Sequence, residues 1–203
     1  DPTPSPSCAQ SPLPTPHSLL PIIDFNGDGT GDIAVFRPGT GLWAVREITR
    51  IYFGAGNDHP VPADYRGDGT GDAAVFRPET GLWAVRGLTR IYYGQFGDSP
   101  VPGDYNGDGT SAPAVFRQAA GLWAMREVSR IYYGKTGDLP LPGDWRGSGT
   151  ALPAVFRPAN NLWAIRGWSR FYFGGGGEPV RLWNYPEGNG EKAAVFTAVD
   201  GEW

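Results

Sequence analysis

Cysteine is nearly absent from this chain: Cys8 is the only one in 203 residues. A single thiol excludes an intrachain disulfide and leaves Cys8 either free or linked to another chain. Lysine is almost as scarce, with only Lys135 and Lys192. The formal net charge is −4, so there is no net basic surface to recruit nucleic acid or an acidic membrane. No apolar run approaches the roughly 20 residues of a membrane-spanning helix, and no signal peptide is visible. Histidine is limited to His17 and His59. No Ser/His/Asp or Cys/His set recurs, so no enzyme is expected.

Glycine (31), proline (20) and aromatic residues (13%) are plentiful. That mix suits short strands and tight turns rather than helices. Residues 1–18 stand apart, with Pro at positions 2, 4, 6, 12, 14 and 16 among Ser and Thr. They read as an extended, polyproline-like arm, either an unmodified linker or an O-glycosylated one.

From residue 19 onward the chain repeats every 40 residues. Asp24, Asp64, Asp104 and Asp144 recur, as do Trp43, Trp83, Trp123, Trp163 and Trp203. A repeat of this length is one supersecondary unit whose copies bury their faces on each other. In the second copy, Val61–Tyr65, Ala73–Arg77, Leu82–Arg86 and Arg90–Tyr93 read as four strands A to D. They are β-branched and aromatic and are bounded by Gly, Pro and Asp. Strand A carries Pro62, Pro102 and Pro142 in successive copies. Proline cannot donate to a ladder, so strand A belongs on an edge, as the innermost strand of a propeller blade does. Five copies of strand A predict an all-β, five-bladed β-propeller over 19–203. Its blades fall at about 19–54, 60–94, 100–134, 140–174 and 179–203, and the last is incomplete.

The A–B loop of the first copy reads Asp24-Phe25-Asn26-Gly27-Asp28-Gly29-Thr30-Gly31-Asp32. Asp24, Asn26, Asp28 and Asp32 offer side-chain oxygens, and Thr30 a carbonyl, as a Ca²⁺ cage requires. It is not an EF-hand, because Val35 stands where the bidentate Glu would be. The loop decays along the chain. Asp64, Asp68, Thr70 and Asp72 remain in the second copy, with Arg66 at position 3. Asp104, Asn106, Asp108 and Thr110 remain in the third, with Ala112 at position 9. The fourth has Arg146, Ser148 and Leu152. Calcium is therefore expected in loop 1, with loops 2 and 3 as weaker sites. Metal-free turns, in which Asp side chains accept backbone N–H bonds, are the alternative throughout and the preferred reading for loops 4 and 5.

The Asp-x-Asn-Gly-Asp-Gly-x-x-Asp loop, the apolar strand after it, the aromatic-Gly end and Gly97-Asp98-Ser99-Pro100 together resemble FG-GAP/VCBS-type repeats. The resemblance covers about residues 19–203. It implies a calcium-loop propeller in an extracellular or cell-surface setting, and it fixes no ligand.

Odd and even copies alternate. Loop position 3 reads Asn26, Arg66, Asn106, Arg146, while the C–D turn reads Glu47, Gly87, Glu127, Gly167. Two interblade ion pairs follow as an expectation, Arg66 with Glu47 and Arg146 with Glu127, against plain descent from an 80-residue duplication. Twelve of the 15 arginines recur at three positions, such as Arg37, Arg77, Arg117 and Arg157. They are expected to bridge blades through carboxylates such as Asp98 and Asp138. Arg66-Gly67-Asp68 lies inside a loop of the calcium type and is not read as an adhesion motif. Trp43, Trp83, Trp123 and Trp163 suit either packing between blades or stacking on sugars.

These features predict a non-enzymatic binding or assembly module with a glycan, an extracellular protein or itself as partner. Self-association is placed on the Pro-free stretch Ser7-Cys8-Ala9-Gln10-Ser11, added as a strand to the open edge of blade 5. The competing expectation is a calcium-dependent multivalent lectin.

Overall fold

The computed structural model describes residues 23–174, together with the backbone of strands 178–182 and 192–196. The repeat becomes a repeated antiparallel sheet. Blade 1 holds β1 (Ala34–Arg37), β2 (Leu42–Val45) and β3 (Thr49–Tyr52). Blade 2 holds β4 (His59–Pro60), β5 (Ala74–Arg77), β6 (Leu82–Val85) and β7 (Thr89–Tyr92). Blade 3 holds β8 (Ser99–Pro100), β9 (Ala114–Arg117), β10 (Leu122–Met125) and β11 (Ser129–Tyr132). Blade 4 holds β12 (Leu139–Pro140), β13 (Ala154–Arg157), β14 (Leu162–Ile165) and β15 (Ser169–Tyr172). The arrangement is propeller-like and all-β. The one helical segment among the described residues is the 3₁₀ turn Gln118–Ala120.

The expected fifth blade is corrected. The described residues build four blades, and the fifth copy contributes a two-stranded sheet, β16 (Glu178–Leu182) with β17 (Lys192–Phe196). Its register matches that of the other copies: Pro179 pairs Val195 as Pro140 pairs Val155.

Strand A is also shifted from Val61–Tyr65. The ladder pairs His59 with Phe76 and Pro60 with Val75. It continues only through the Val61 N–H to the Ala74 carbonyl (2.8 Å) and an isolated bridge, Ala63 with Asp72. Pro62 has no N–H to donate, and from Asp64 the backbone is already committed to the A–B loop. The other strands begin or end one residue from their expected limits.

Each blade presents two different faces, because strand side chains alternate. Phe76 and Trp83 are register partners with ring centroids 5.2 Å apart. They face forward along the chain, while Val75 and Ala84 face back. Phe36, Trp43, Val75 and Ala84 form one buried cluster, so the back of blade 2 packs on the front of blade 1. Phe76, Trp83, Val115 and Ala124 repeat this at the next junction, and Phe116, Trp123, Val155 and Ala164 at the third. Strand D lies at the outside, with Tyr52, Tyr92, Tyr132 and Tyr172 exposed.

The junctions are also keyed through backbone. The N–H groups of Gly71, Ser111 and Ala151 donate to the carbonyls of Asp24, Asp64 and Asp104 of the preceding blade, at 2.6–2.7 Å. Here the sequence is complementary in size. A Cβ on Gly71 would lie 1.9 Å from Ile23 Cγ2, so a large residue in blade 1 demands glycine in blade 2. One junction later Ala63 takes the place of Ile23 and Ser111 that of Gly71, and after that Gly103 and Ala151.

The B–C turn shows a second glycine requirement. Gly41, Gly81 and Gly121 adopt φ of 61–69°, and a Cβ there would meet a backbone carbonyl at 2.6 Å. The fourth copy places Asn161 at φ 56°, the non-glycine residue best suited to that region.

Candidate binding surface

The A–B loops are organised by their first aspartate. Asp24 Oδ1 accepts the Gly27 N–H (2.6 Å) and Oδ2 the Gly29 N–H (2.8 Å). Asp64 and Asp104 repeat these bonds with Gly67 and Gly69, and with Gly107 and Gly109. Asp144 accepts from Ser148 and Gly149. Asp28 accepts from the Thr30 N–H and hydroxyl and from the Asn26 amide. Asp68 is bonded likewise by Thr70, and Asp108 by Asn106 and the Thr110 N–H. These hydrogen bonds hold the Asp28, Asp68 and Asp108 carboxyls below the usual carboxylate range. Asp32 accepts the Phe25 N–H, and Asp72 the Tyr65 N–H. Burial pushes the Asp72 carboxyl up.

The loop carboxylates thus face their own backbone. Among the described residues, no three His, Cys, Asp or Glu side chains come together as a metal cage. Asp24, Asn26, Asp28, Thr30 and Asp32 have the oxygen chemistry of a Ca²⁺ site, and an ion there would compete with the N–H bonds that Asp24 and Asp28 accept.

The Arg/Glu alternation has a different origin from the expected one. Arg66 Nη1 bonds Asp72 of its own loop (2.6 Å), and its Nη2 donates to the Arg86 carbonyl (3.2 Å). Arg146 Nη2 donates to the Gly167 carbonyl (2.5 Å). Both arginines therefore reach the C–D turn of their own blade. Glu47 and Glu127 pair instead with the adjacent Arg46 and Arg126. No Arg66–Glu47 or Arg146–Glu127 ion pair occurs among the described residues. The A–B loop and C–D turn do approach one another, but within one blade, so each Arg meets the Gly of its own copy rather than the Glu of the copy before.

The strand B arginines are corrected in the same sense. Arg77 Nε and Nη2 make a two-pronged bond to Asp58 (2.7 and 3.0 Å), whose Oδ2 also accepts the Ala55 N–H. Arg117 with Asp98 and Arg157 with Asp138 repeat the arrangement. The three aspartates are buried and the clasp lies inside one blade, tying the segment entering strand A to the end of strand B. Asp58 itself was missed by sequence reasoning. The visible signal is the constant Asp-to-Arg spacing of 19 residues, which breaks in the first copy, where the sequence has Ser at position 18.

Trp43, Trp83, Trp123 and Trp163 are fully buried. Each indole N–H donates to the carbonyl of residue 53, 93, 133 or 173. None of these four indole faces is open to a sugar. Ser7, Cys8, Ala9, Gln10, Ser11 and the edge beyond β17 lie outside the described residues.

The accessible aromatic set is one that sequence reasoning passed over. Tyr52, Tyr92, Tyr132 and Tyr172 are 71–77% exposed, one per blade at the same position of strand D. Arg77, Leu82 and Tyr92 share one row across blade 2. Arg117, Leu122 and Tyr132 share the matching row of blade 3, and Arg157, Leu162 and Tyr172 that of blade 4. In blades 2–4 an exposed phenol thus lies in the same row, two strands away, as a guanidinium that a buried carboxylate holds in place. The signal was the alternation of Ile51/Tyr52 and Ile91/Tyr92, in which Ile faces in and Tyr out.

These features define a β-propeller-like repeat protein with a repeated aromatic outer surface. No family model, no curated protein and no solved structure matches the chain. No helix among the described residues is long and apolar enough to cross a membrane.

Proposed function

We propose that this chain is an extracellular, non-enzymatic binding and assembly module of the FG-GAP/VCBS-like kind. One observation carries the reading: four blades display the same exposed tyrosine, in the same row as the same arginine position. Identical shallow sites on a rigid frame bind weakly one at a time and strongly together. An exposed tyrosine supplies a rigid amphipathic contact at low entropy cost. The same row favours a second reading, a multivalent lectin, with tyrosine in the role first given to tryptophan. Calcium enters either reading only at the A–B loops, with Asp24, Asn26, Asp28, Thr30 and Asp32 as the fullest donor set. Assembly through residues 7–11 and an open fifth-blade edge belongs to the same proposal.

The test is a glycan array with wild-type protein and with Tyr→Ser variants at positions 52, 92, 132 and 172, in calcium and in EDTA. Glycan binding that falls stepwise with each substitution assigns the lectin reading, and its loss in EDTA assigns calcium a part. Concentration-dependent self-association without glycan binding assigns assembly. Neither glycan binding nor association would overturn both.

A further inference from the structure

One corner of blade 4 differs from its counterparts in three ways at once. The Gly167 carbonyl in the C–D turn accepts Arg146 Nη2 (2.5 Å), so Arg146 lies beside the two residues that flank Gly167, Arg166 and Trp168. All three side chains are exposed, and Trp168, at 51%, is the one exposed tryptophan among the described residues. At the position of Gly167, blades 1 and 3 carry Glu47 and Glu127, which pair with Arg46 and Arg126. In blade 2, Arg66 is held by Asp72 (2.6 Å), and blade 4 has Leu152 in place of that aspartate. The apolar residue of the turn is Ile48, Leu88 and Val128 in the other copies and Trp168 here. Two of these differences take away a carboxylate, and the third supplies an indole.

The result is a pair of guanidiniums without a counter-charge. Among the described residues, no Asp or Glu forms an ion pair with Arg146 or Arg166. The carboxylate of the same loop, Asp144, accepts the Ser148 and Gly149 N–H groups (2.9 and 2.7 Å). Arg146 gives one N–H to Gly167, and a guanidinium has five. Its planar fork matches a carboxylate or sulfate two-pronged. A simple anion has no use for Trp168, whereas a ring with an apolar C–H face does. We propose that this corner of blade 4 binds an acidic saccharide, with Arg146 and Arg166 taking its carboxylate or sulfate and Trp168 lying under its ring. Nucleic acid fits less well, because the chain carries a net charge of −4 and a backbone of phosphates needs a longer basic track. The inference rests on the lectin reading and gives it a ligand class, but at a different place. Ser169 begins strand D beside this turn, and Tyr172 ends it.

The full chain is titrated calorimetrically with a heparin tetrasaccharide, with tetragalacturonate, with neutral maltotetraose and with a short single-stranded DNA. Two variants, Gly167→Glu and Trp168→Val, are compared with wild type. Both introduce residues that blade 3 already holds at these positions, and Glu127 has φ of 62° against 71° for Gly167. Each variant should therefore keep the wild-type circular dichroism and melting temperature. Wild type is expected to bind at least one of the acidic saccharides in preference to maltotetraose, and the stronger of the two distinguishes sulfate from carboxylate. Each variant is expected to bind it about tenfold more weakly, and raised salt should weaken the wild-type binding.

Absence of binding to both acidic saccharides would overturn the inference, as would an affinity that neither variant changes. Maltotetraose bound as tightly would take the arginines out of the site, and DNA bound as tightly would reduce the corner to a patch of charge. Either result also overturns it. Tyr172→Ser should leave this binding intact. Acidic-sugar binding that falls with Tyr172→Ser and not with Trp168→Val belongs to the tyrosine row and overturns the site proposed at Trp168. A tyrosine row that binds nothing leaves the blade 4 site standing, so the two readings fail separately.

Discussion

Arg77, Arg117 and Arg157 occupy one position in three blades, and each is fixed by a buried aspartate that also accepts a backbone N–H. Such a two-pronged, charge-assisted bond specifies direction as well as charge, which lysine could not reproduce. This accounts for arginine at the position. The carboxylates differ little, but the arginines do: the Arg157 side chain is 21% exposed against 37% for Arg77. Asp138→Asn leaves the better buried guanidinium without its partner and should cost about 2–4 kcal/mol. Asp58→Asn should cost less, because water can replace part of the lost interaction. Thermal unfolding of the two variants checks the order, and equal losses would show that the clasp acts through the Asp-to-backbone bond alone. The 19-residue spacing of this clasp is plain in the sequence. Its membership of one blade is not, because periodicity gives positions within a copy and not which copies touch.

Between elements, fit is set by size. Ile23 and Gly71 face each other where the carbonyl of Asp24 receives the Gly71 N–H. A methyl group placed 1.9 Å from Ile23 Cγ2 forces the first junction apart or the isoleucine out of its rotamer. Gly71→Ala should therefore destabilise by about 1–3 kcal/mol. Adding Ile23→Ala should recover most of it, because the Ala63/Ser111 junction shows that a small residue tolerates a side chain opposite. A denaturant double-mutant cycle measures the coupling, and strictly additive effects would place the two residues out of contact. The Arg66 and Arg146 loops follow related logic. Each arginine sends a guanidinium to its own C–D turn, where Gly87 and Gly167 stand instead of glutamate. Odd copies keep Glu47 and Glu127 at φ of 61–62°, in the left-handed region. The alternation was legible as a pattern, but its partners were not, since a loop and a turn on one face of the disc can meet within a blade or across two.

At the scale of the molecule, the repeat makes stability nearly a sum of blades and junctions. Blades 2 and 3 have a described neighbour on each side. Blade 1 has a described neighbour on one face only, and on the other Val35 and Ile33 are more than half exposed. Hydrogen exchange should accordingly release the β1–β2 amides, such as Ala44 and Val45, well before the matching β9–β10 amides Ala124 and Met125. Equal protection would mean that unfolding is concerted and that the exposed face carries no penalty. Five strand-A copies gave an expectation of five blades, and the described residues build four of them with a two-stranded sheet in the fifth copy.

The 40-residue period, the all-β class, the four-strand meander and the tight turns were determined by the sequence alone, because glycine, proline and alternating apolar residues constrain the backbone locally. The destination of side chains was decided by tertiary structure. Tryptophans that could have been open platforms are buried between blades, tyrosines that looked like ordinary strand residues are exposed, and loop aspartates turn inward to their own N–H groups. Those outcomes depend on which surface a neighbouring blade removes from water. A sequence repeat states that neighbours exist, and only the packed arrangement shows which face of each is left without one.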